Sequence, residues 1–353
     1  VIQVKRVMMK GTEAIGEAAI KAGCRNYFGY PITPQSELTE YMARRLPEVG
    51  GSFLQAESEV AAVNMVYGAA SVGRRVMTST SSPGFSLMQE GISYIACAQL
   101  PSVFVNVVRG GPGLGDIQPS QGDYFQATKG GGHGDYRLIV LSPSTVQEAV
   151  ELTMLAFELA DEYRNPVLIF ADGLLGQMME PVSFSEKEFA YDNDSWALTG
   201  AKNRSPRQVT SFNIDPYELE KMNMELQRKY FRIESQEPRW EEYNTDDADI
   251  LIVAHGTVGR IVKSVVKMAR EEKIAAGLFR PITLYPYPYE PLSKLSEKVS
   301  MVLTVEMSSG QMLEDVKLAV LGKTRVEFYG RMAGVVPTPE EIFSHLKNLV
   351  GRH

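Results

Sequence analysis

From Val60 to Ala70 only Asn64 is plainly polar, so a helix over that stretch has no wet face to offer. It must lie between other layers of the chain or against other chains. Just ahead of it stand Glu57 and Glu59, split by Ser58 and preceded by the strand-like Phe53-Leu54-Gln55. Two residues apart, the carboxylates point different ways in an extended or a helical backbone, so their roles need not match. A carboxylate in a first turn gains from the positive end of the helix dipole and loses by desolvation when covered. Taken alone, both glutamates also fit residues that merely start a helix.

The rest of the chain alternates around that element. Extended runs at 26–30, 51–55, 75–80, 103–108, 137–141 and 166–172 are interleaved with helical patterns at 12–22, 34–46, 60–70, 86–98 and 144–163. Continuous apolar strands between helices mean a parallel sheet covered on both faces. Ser144 and Gln147 have capping-box spacing for the helix at 144–163. Residues 183–247 turn polar and charged, and Asp215-Pro216-Tyr217-Glu218 supplies an N-cap, a first-position proline and a capping glutamate for a helix to about residue 242. A second alternating unit follows, with strands at 249–254, 275–284, 301–306 and 324–329. Its helices fall at 258–272, 290–299 and 310–321, and Thr338-Pro339-Glu340-Glu341 starts a final one. The pattern predicts an α/β fold of two doubly wound parallel-sheet domains, 1–182 and 248–353, joined by a linker at 183–247. At 353 residues the chain suits two or three domains of ~100 to 200 residues.

Composition excludes several classes. A net charge of -7 argues against a nucleic-acid backbone as the main partner. No apolar run approaches the ~18 residues of a membrane span, and residues 1–11 carry Lys5, Arg6 and Lys10 without a hydrophobic signal core, so the expectation is a cytoplasmic protein with no membrane partner. The two cysteines, Cys24 and Cys97, cannot supply the four thiolates of an ordinary iron-sulfur cluster and show no zinc-ligand partners. No metal ligand is assigned to this chain, and any redox metal belongs to another.

In an open parallel sheet, ligands bind beyond the carboxyl ends of the strands. Three ends stand out: Tyr30-Pro31-Ile32-Thr33-Pro34, Glu57-Ser58-Glu59, and Arg109 directly after Val108. They offer a hydroxyl, a carboxylate and a guanidinium, which together suit a small carboxylate substrate beside a basic heterocycle. Each has a structural alternative. Thr33 before Pro34 is equally a helix N-cap, and Arg109 could equally pair with Asp116 or Asp123. Arg109 opens a glycine-rich loop over 110–135, far longer than the ~2 to 6 residues usual for such connections and without the dinucleotide fingerprint. His133 and His255 sit beside glycines, where a lone histidine is more often incidental. No Gly-x-Ser-x-Gly elbow occurs.

Tyr30-Pro31-Ile32-Thr33-Pro34, Glu57-Ser58-Glu59 with its small-residue helix, the run from Thr78 to Glu90, and Arg109-Gly110-Gly111-Pro112 resemble the alpha subunit of the 2-oxoacid:ferredoxin oxidoreductases. The resemblance spans nearly the whole chain, including the segment from Glu306 to Gln311, and the start Met9 to Ala14 is most similar to the 2-oxoisovalerate branch. It implies a thiamine diphosphate enzyme with a pyrimidine-binding first domain and a transketolase-C-like last domain. Glu59 would hydrogen-bond the aminopyrimidine and favour its imino form, beside Tyr30 and Pro31; Thr33 and Arg109 would hold the keto acid. Ala171-Asp172-Gly173 lacks the context of a diphosphate and Mg2+ site, so a beta subunit would supply it. A ferredoxin-like gamma or delta subunit with the iron-sulfur cluster, ferredoxin and coenzyme A are the other implied partners. A 2-oxoglutarate enzyme, a non-catalytic assembly subunit of the same fold and a lone nucleotide-binding protein are the alternatives.

Overall fold

A computed structural model describes residues 6–185 and 191–351; Lys5 and those parts of the three expected segments that fall at 1–5, 186–190 and 352–353 lie outside it. The chain opens with β1 (Val7–Lys10), α1 (Gly11–Lys21), β2 (Asn26–Gly29), α2 (Ser36–Glu48), β3 (Ser52–Gln55), α3 (Glu59–Ser71), β4 (Val76–Thr80) and α4 (Ser82–Cys97). It continues through β5 (Ser102–Val108), α5 (Tyr124–Thr128), β6 (Ile139–Leu141), α6 (Val146–Tyr163), β7 (Pro166–Asp172), α7 (Gly173–Gln177) and β8 (Met179–Val182). Next come α8 (Pro216–Gln236), β9 (Trp240–Tyr243), β10 (Ile250–Val253), α9 (Gly256–Glu271), β11 (Ala276–Pro281), β12 (Thr283–Tyr285) and α10 (Tyr289–Ser296). The last elements are β13 (Met301–Glu306), α11 (Gln311–Val320), β14 (Arg325–Gly330) and α12 (Pro339–Val350).

Every residue of β5 and β7 is buried, as runs apolar on both faces require. They form the middle of a seven-stranded sheet in the order β12-β6-β7-β5-β4-β2-β3, parallel except for β12. A second sheet, β14-β13-β10-β11-β9, is parallel except for β9. The fold is therefore α/β with two open, mainly parallel sheets. Helix α3 packs on α4 through Ala62, Val63 and Val66, but Val60, Asn64 and Gly68 form an exposed stripe, so only half of this apolar helix is covered within the chain.

Several boundaries differ from the sequence pattern for identifiable reasons. The run at 275–284 is two strands, because the chain leaves β11 after Pro281 and carries β12 to the edge of the other sheet. The helix expected to reach 242 stops at Gln236, just before Pro238, and the following residues pair with β11 as β9. Thr145, not Ser144, caps α6 by accepting from Glu148 N at 3.1 Å, while Gln147 accepts from Ser183 N at 2.8 Å. Asp215 and Thr338 cap their helices as their spacing predicts.

The two sheets meet around His255, which is wholly buried. Its Nδ1 lies 3.0 Å from Ser142 Oγ and 3.4 Å from Gln121 Nε2, and its Nε2 is buried without a partner among the described residues. Burial, reinforced by nearby Arg280, pushes this imidazole from 6.5 down to about 3. Between those values the unfolded chain binds the extra proton, so His255 contributes stability above pH 6.5 that is lost as pH falls toward 3. The slope is about 1.4 kcal/mol per pH unit. Melting curves of wild type and His255→Gln from pH 7 to pH 4 should therefore converge on acidification; parallel curves would mean that the imidazole does not titrate on unfolding.

Candidate active site

The large sheet opens at one place. β2 pairs with β3 along its length but with β4 only at Asn26↔Val76 and Tyr27↔Met77, whereas β4 continues beside β5 to Thr80. Strand order also reverses there, since the chain moves outward from β2 to β3 and returns on the other side as β4. A crevice outside the carboxyl ends at such a reversal is where sheets of this kind bind ligands. A buried polar network underlies it. The Tyr27 hydroxyl lies 2.6 Å from Ser79 Oγ and 3.0 Å from Thr39 Oγ1, and Gln35 Oε1 accepts from Ser79 Oγ at 2.5 Å and Thr39 Oγ1 at 3.1 Å. Gln35 Nε2 donates to the Tyr30 carbonyl at 3.2 Å, which ties the Tyr30-Pro31-Ile32-Thr33-Pro34 turn to the sheet.

Glu59 is the first residue of α3, after the Ser58 cap whose hydroxyl accepts from Ala61 N at 3.2 Å. It is 4% exposed, whereas Glu57 is exposed, so the two carboxylates do part company. The Glu59 carboxylate rests against Gly84 in the first turn of α4, so closely that a Cβ there would overlap Glu59 Oε1 and Thr80 Oγ1. It stands at the positive ends of two helices. Among the described residues it accepts no hydrogen bond.

Arg109 is 7% exposed and spans the turn and the glycine-rich loop. Its Nη1 donates to the Thr33 carbonyl and its Nη2 to the Leu114 carbonyl, each at 2.9 Å. Ser82 of α4 clasps its backbone, accepting from Arg109 N at 3.1 Å and donating to Arg109 O at 3.3 Å. Arg109 Nε and Ser81 Oγ are buried with no partner among the described residues. Neither aspartate considered for Arg109 meets it: Asp116 accepts from Gln118 N at 2.7 Å and Asp123 from Asn106 Nδ2 at 2.8 Å. Burial pushes the Asp123 carboxyl above the usual range against the pull of Ser82 and Asn106. Thr33 does not cap α2, which begins at Ser36; its side chain is exposed and its carbonyl is what engages Arg109.

Tyr30, Pro31, Thr33, Glu59 and Arg109 thus lie along one edge, held by residues to which the sequence assigns no role: Tyr27, Gln35, Ser79, Ser82 and Gly84. The available signal was Thr78-Ser79-Thr80, three hydroxyls in a strand buried at every position. Asp172 is occupied elsewhere, accepting from Leu174 N and Leu175 N at 3.0 Å and from the Thr257 hydroxyl. His133 is exposed, edge-on to Tyr94. Among the described residues no group of three or more His, Cys, Asp or Glu is placed to hold a metal ion.

Two family profiles match the chain: "Pyruvate flavodoxin/ferredoxin oxidoreductase, thiamine diP-bdg" over residues 17–245, and "Pyruvate:ferredoxin oxidoreductase core domain II" over 248–342. This chain belongs to the 2-oxoacid:ferredoxin oxidoreductase family. It is 52% identical to the ketoisovalerate oxidoreductase subunit VorB of Methanothermobacter marburgensis, with 98% of each chain covered. It is 37% identical to the 2-oxoglutarate synthase subunit KorA of Methanothermobacter thermautotrophicus, over 95% of this chain and 96% of that one. Among solved structures, the 2-oxoglutarate:ferredoxin oxidoreductase of Magnetococcus marinus superimposes with a TM-score of 0.85 at 27% identity, covering 98% of this chain and 65% of that one. A split-gene transketolase, 16% identical with a TM-score of 0.61, shares the fold.

In this oxidoreductase the absence of a side chain at residue 84 decides where the Glu59 carboxylate can rest. Gly84→Ala should displace that carboxylate and lower turnover of the assembled enzyme by about 10^2 or more, while circular dichroism shows the fold retained. Wild-type turnover in that variant would separate the carboxylate's position from activity.

Proposed function

We propose that this chain is the thiamine diphosphate-binding alpha-type subunit of an enzyme that oxidatively decarboxylates 2-oxoisovalerate to an acyl-CoA and CO2 and passes electrons to ferredoxin. The observation that carries the reading is the Glu59 carboxylate: buried, unpaired within the described residues, and lodged in a hollow that only glycine at 84 leaves open. Those features fit an aminopyrimidine, whose ring nitrogen can donate a hydrogen bond to such a carboxylate. When bound, the cofactor supplies the carbon nucleophile and electron sink for decarboxylation. Glu59 would accept the hydrogen bond from the ring nitrogen, with the Tyr30-Pro31 turn lining the pyrimidine beside it. Arg109, whose Nε is without a partner among the described residues, would with Thr33 orient the substrate's keto-acid end. The branched-chain acid is favoured because relatives 52% and 51% identical are named for ketoisovalerate; a 2-oxoglutarate enzyme is the second reading, favoured by the KorA relatives and the Magnetococcus marinus structure.

In this reading residues 1–182 form the pyrimidine-binding domain, 183–247 the linker and 248–353 the transketolase-C-like domain. The diphosphate and its Mg2+ are held mainly by a beta subunit, consistent with Asp172 being consumed as a helix cap and strut. A rim of exposed apolar residues, including Tyr30, Leu54, Val60, Leu87, Leu114 and Ile117, belongs to the segments around the crevice and gives that subunit a surface to cover. A ferredoxin-like subunit carries the iron-sulfur cluster, and ferredoxin and coenzyme A complete the reaction. No described helix is long and apolar enough to cross a membrane, and the cytoplasm is the compartment proposed.

Glu59→Gln in the assembled complex should lower turnover by about 10^2 or more with little change in melting, and Glu57→Gln should leave both near wild type. Full activity in Glu59→Gln would sink the assignment. Arg109→Lys cannot hold two carbonyls and also meet a carboxylate bidentately, so it should raise the Michaelis constant for 2-oxoisovalerate, 2-oxoglutarate and pyruvate alike. A lowered melting temperature with unchanged Michaelis constants would leave Arg109 as a loop brace alone.

A further inference from the structure

At the opposite end of the large sheet three cations gather, with the carboxylates Glu162 and Glu237 flanking Tyr163 beside them. Gln99 lies just ahead of β5 and Arg164 just ahead of β7, both in the left-handed backbone region at φ 52° and 46°. Arg164 Nε donates to the Gln99 carbonyl at 3.2 Å, and its guanidinium lies 4.5 Å from the centroid of the Trp196 ring. From α8, Lys229 Nζ donates to the Arg164 carbonyl at 3.1 Å and to Gln99 Oε1 at 3.5 Å. Arg232, one turn further along α8, stacks over Tyr163 at 4.6 Å. Among the described residues none of these three cations forms an ion pair.

Such a cluster is costly. The chain carries 43 acidic against 36 basic residues, so counter-charges are not scarce, yet here the cations are held only by carbonyls, an amide oxygen and aromatic faces. Gln99 and Arg164 are the left-handed residues that end α4 and α6, and their carbonyls, left free of the helices, are the ones that accept from the Arg164 and Lys229 side chains. Burial, then repulsion from Arg164 and Arg232, pushes the half-buried Lys229 ammonium down to about 7. With each guanidinium face laid on a ring, in-plane N–H edges remain, and those edges fit the oxygens of a tetrahedral anion.

We propose that Arg164, Lys229 and Arg232 form a binding site for a small dianion of the phosphate class, either free phosphate or a phosphate monoester. The site is separate from the catalytic edge. It lies at the amino ends of β5 and β7, a seven-residue strand, or about 23 Å, from Arg109. An anion seated there would tie α8 of the linker to the ends of α4 and α6.

The test uses the assembled enzyme saturated with thiamine diphosphate, so that the cofactor's own phosphate site is filled. Lys229 acylation by an amine-reactive ester at pH 8 is followed by peptide mass spectrometry in chloride, inorganic phosphate or glycerol phosphate at equal ionic strength. Phosphate should slow labelling of Lys229 about tenfold, the effect at pH 8 of raising its amine by about two pKa units, and Arg232→Gln should abolish that protection. Protection by glycerol phosphate but not inorganic phosphate would identify an ester as the ligand. Melting gives an independent readout: in chloride Arg232→Gln should melt above wild type because repulsion is relieved, and phosphate should raise wild type more than the variant. Equal labelling in chloride and both phosphates, or equal phosphate shifts in wild type and variant, would overturn the site.

Discussion

Gln121 holds the two sheets of this protein to one another, and the position of the candidate site follows from it. Its backbone N–H donates to the Met307 carbonyl at 2.9 Å, its side-chain oxygen accepts from Met307 N at 2.9 Å, and its side-chain nitrogen donates to the His255 carbonyl at 3.0 Å. One glutamine thus satisfies backbone groups just beyond the carboxyl ends of β10 and β13, where unpaired polar atoms would be costly. It belongs to the long loop that begins at Arg109. Tyr124 and Lys129 extend the attachment to Asp315, at 2.6 and 2.5 Å, and Phe125 N to Gln311 Oε1 at 2.7 Å. The second sheet therefore serves as the anchor that lets a glycine-rich loop keep a defined path and deliver Leu114 to Arg109. A partly buried ion pair backs it, with Arg280 of β11 meeting Glu148 of α6 at 2.6 Å.

Much of the architecture was legible because it is written in local pattern. Continuous apolar runs identified β5, β7, β10 and β13, and the caps at Asp215 and Thr338 are short-range chemistry that a spacing can show. What was hidden depends on pairing. β12 looks like the tail of β11, and β9 like the last turns of α8, until the partner strand is known. Ser144 and Thr145 are adjacent hydroxyls, and spacing alone could not choose between them; Gln147 went to Ser183, far away in sequence.

The candidate site was legible in part. The strand ends carrying Thr33, Glu59 and Arg109 do gather on one edge, because parallel strands bring their carboxyl ends together. The partners could not be read. Arg109 was expected to meet a ligand or an aspartate, and it braces two backbone carbonyls, which carry no residue-type signal. The value of glycine at 84 is likewise invisible without the neighbouring helix, since only the approach of α3 to α4 makes a methyl group there intolerable.

The crossing of β12 into the first sheet bears on how the polypeptide is made. That sheet's β6 edge is sealed by residues 283–285, more than a hundred positions after β6 leaves the ribosome. Until then the nascent chain presents an unpaired strand edge, the kind of surface on which chains join wrongly. Long-range closure of this sort also slows folding, since the entropy of a long loop is lost before the contact forms. The first sheet is thus completed only from the chain's final third: truncation before β12 leaves the β6 edge open, and chaperone retention should last until β12 has docked.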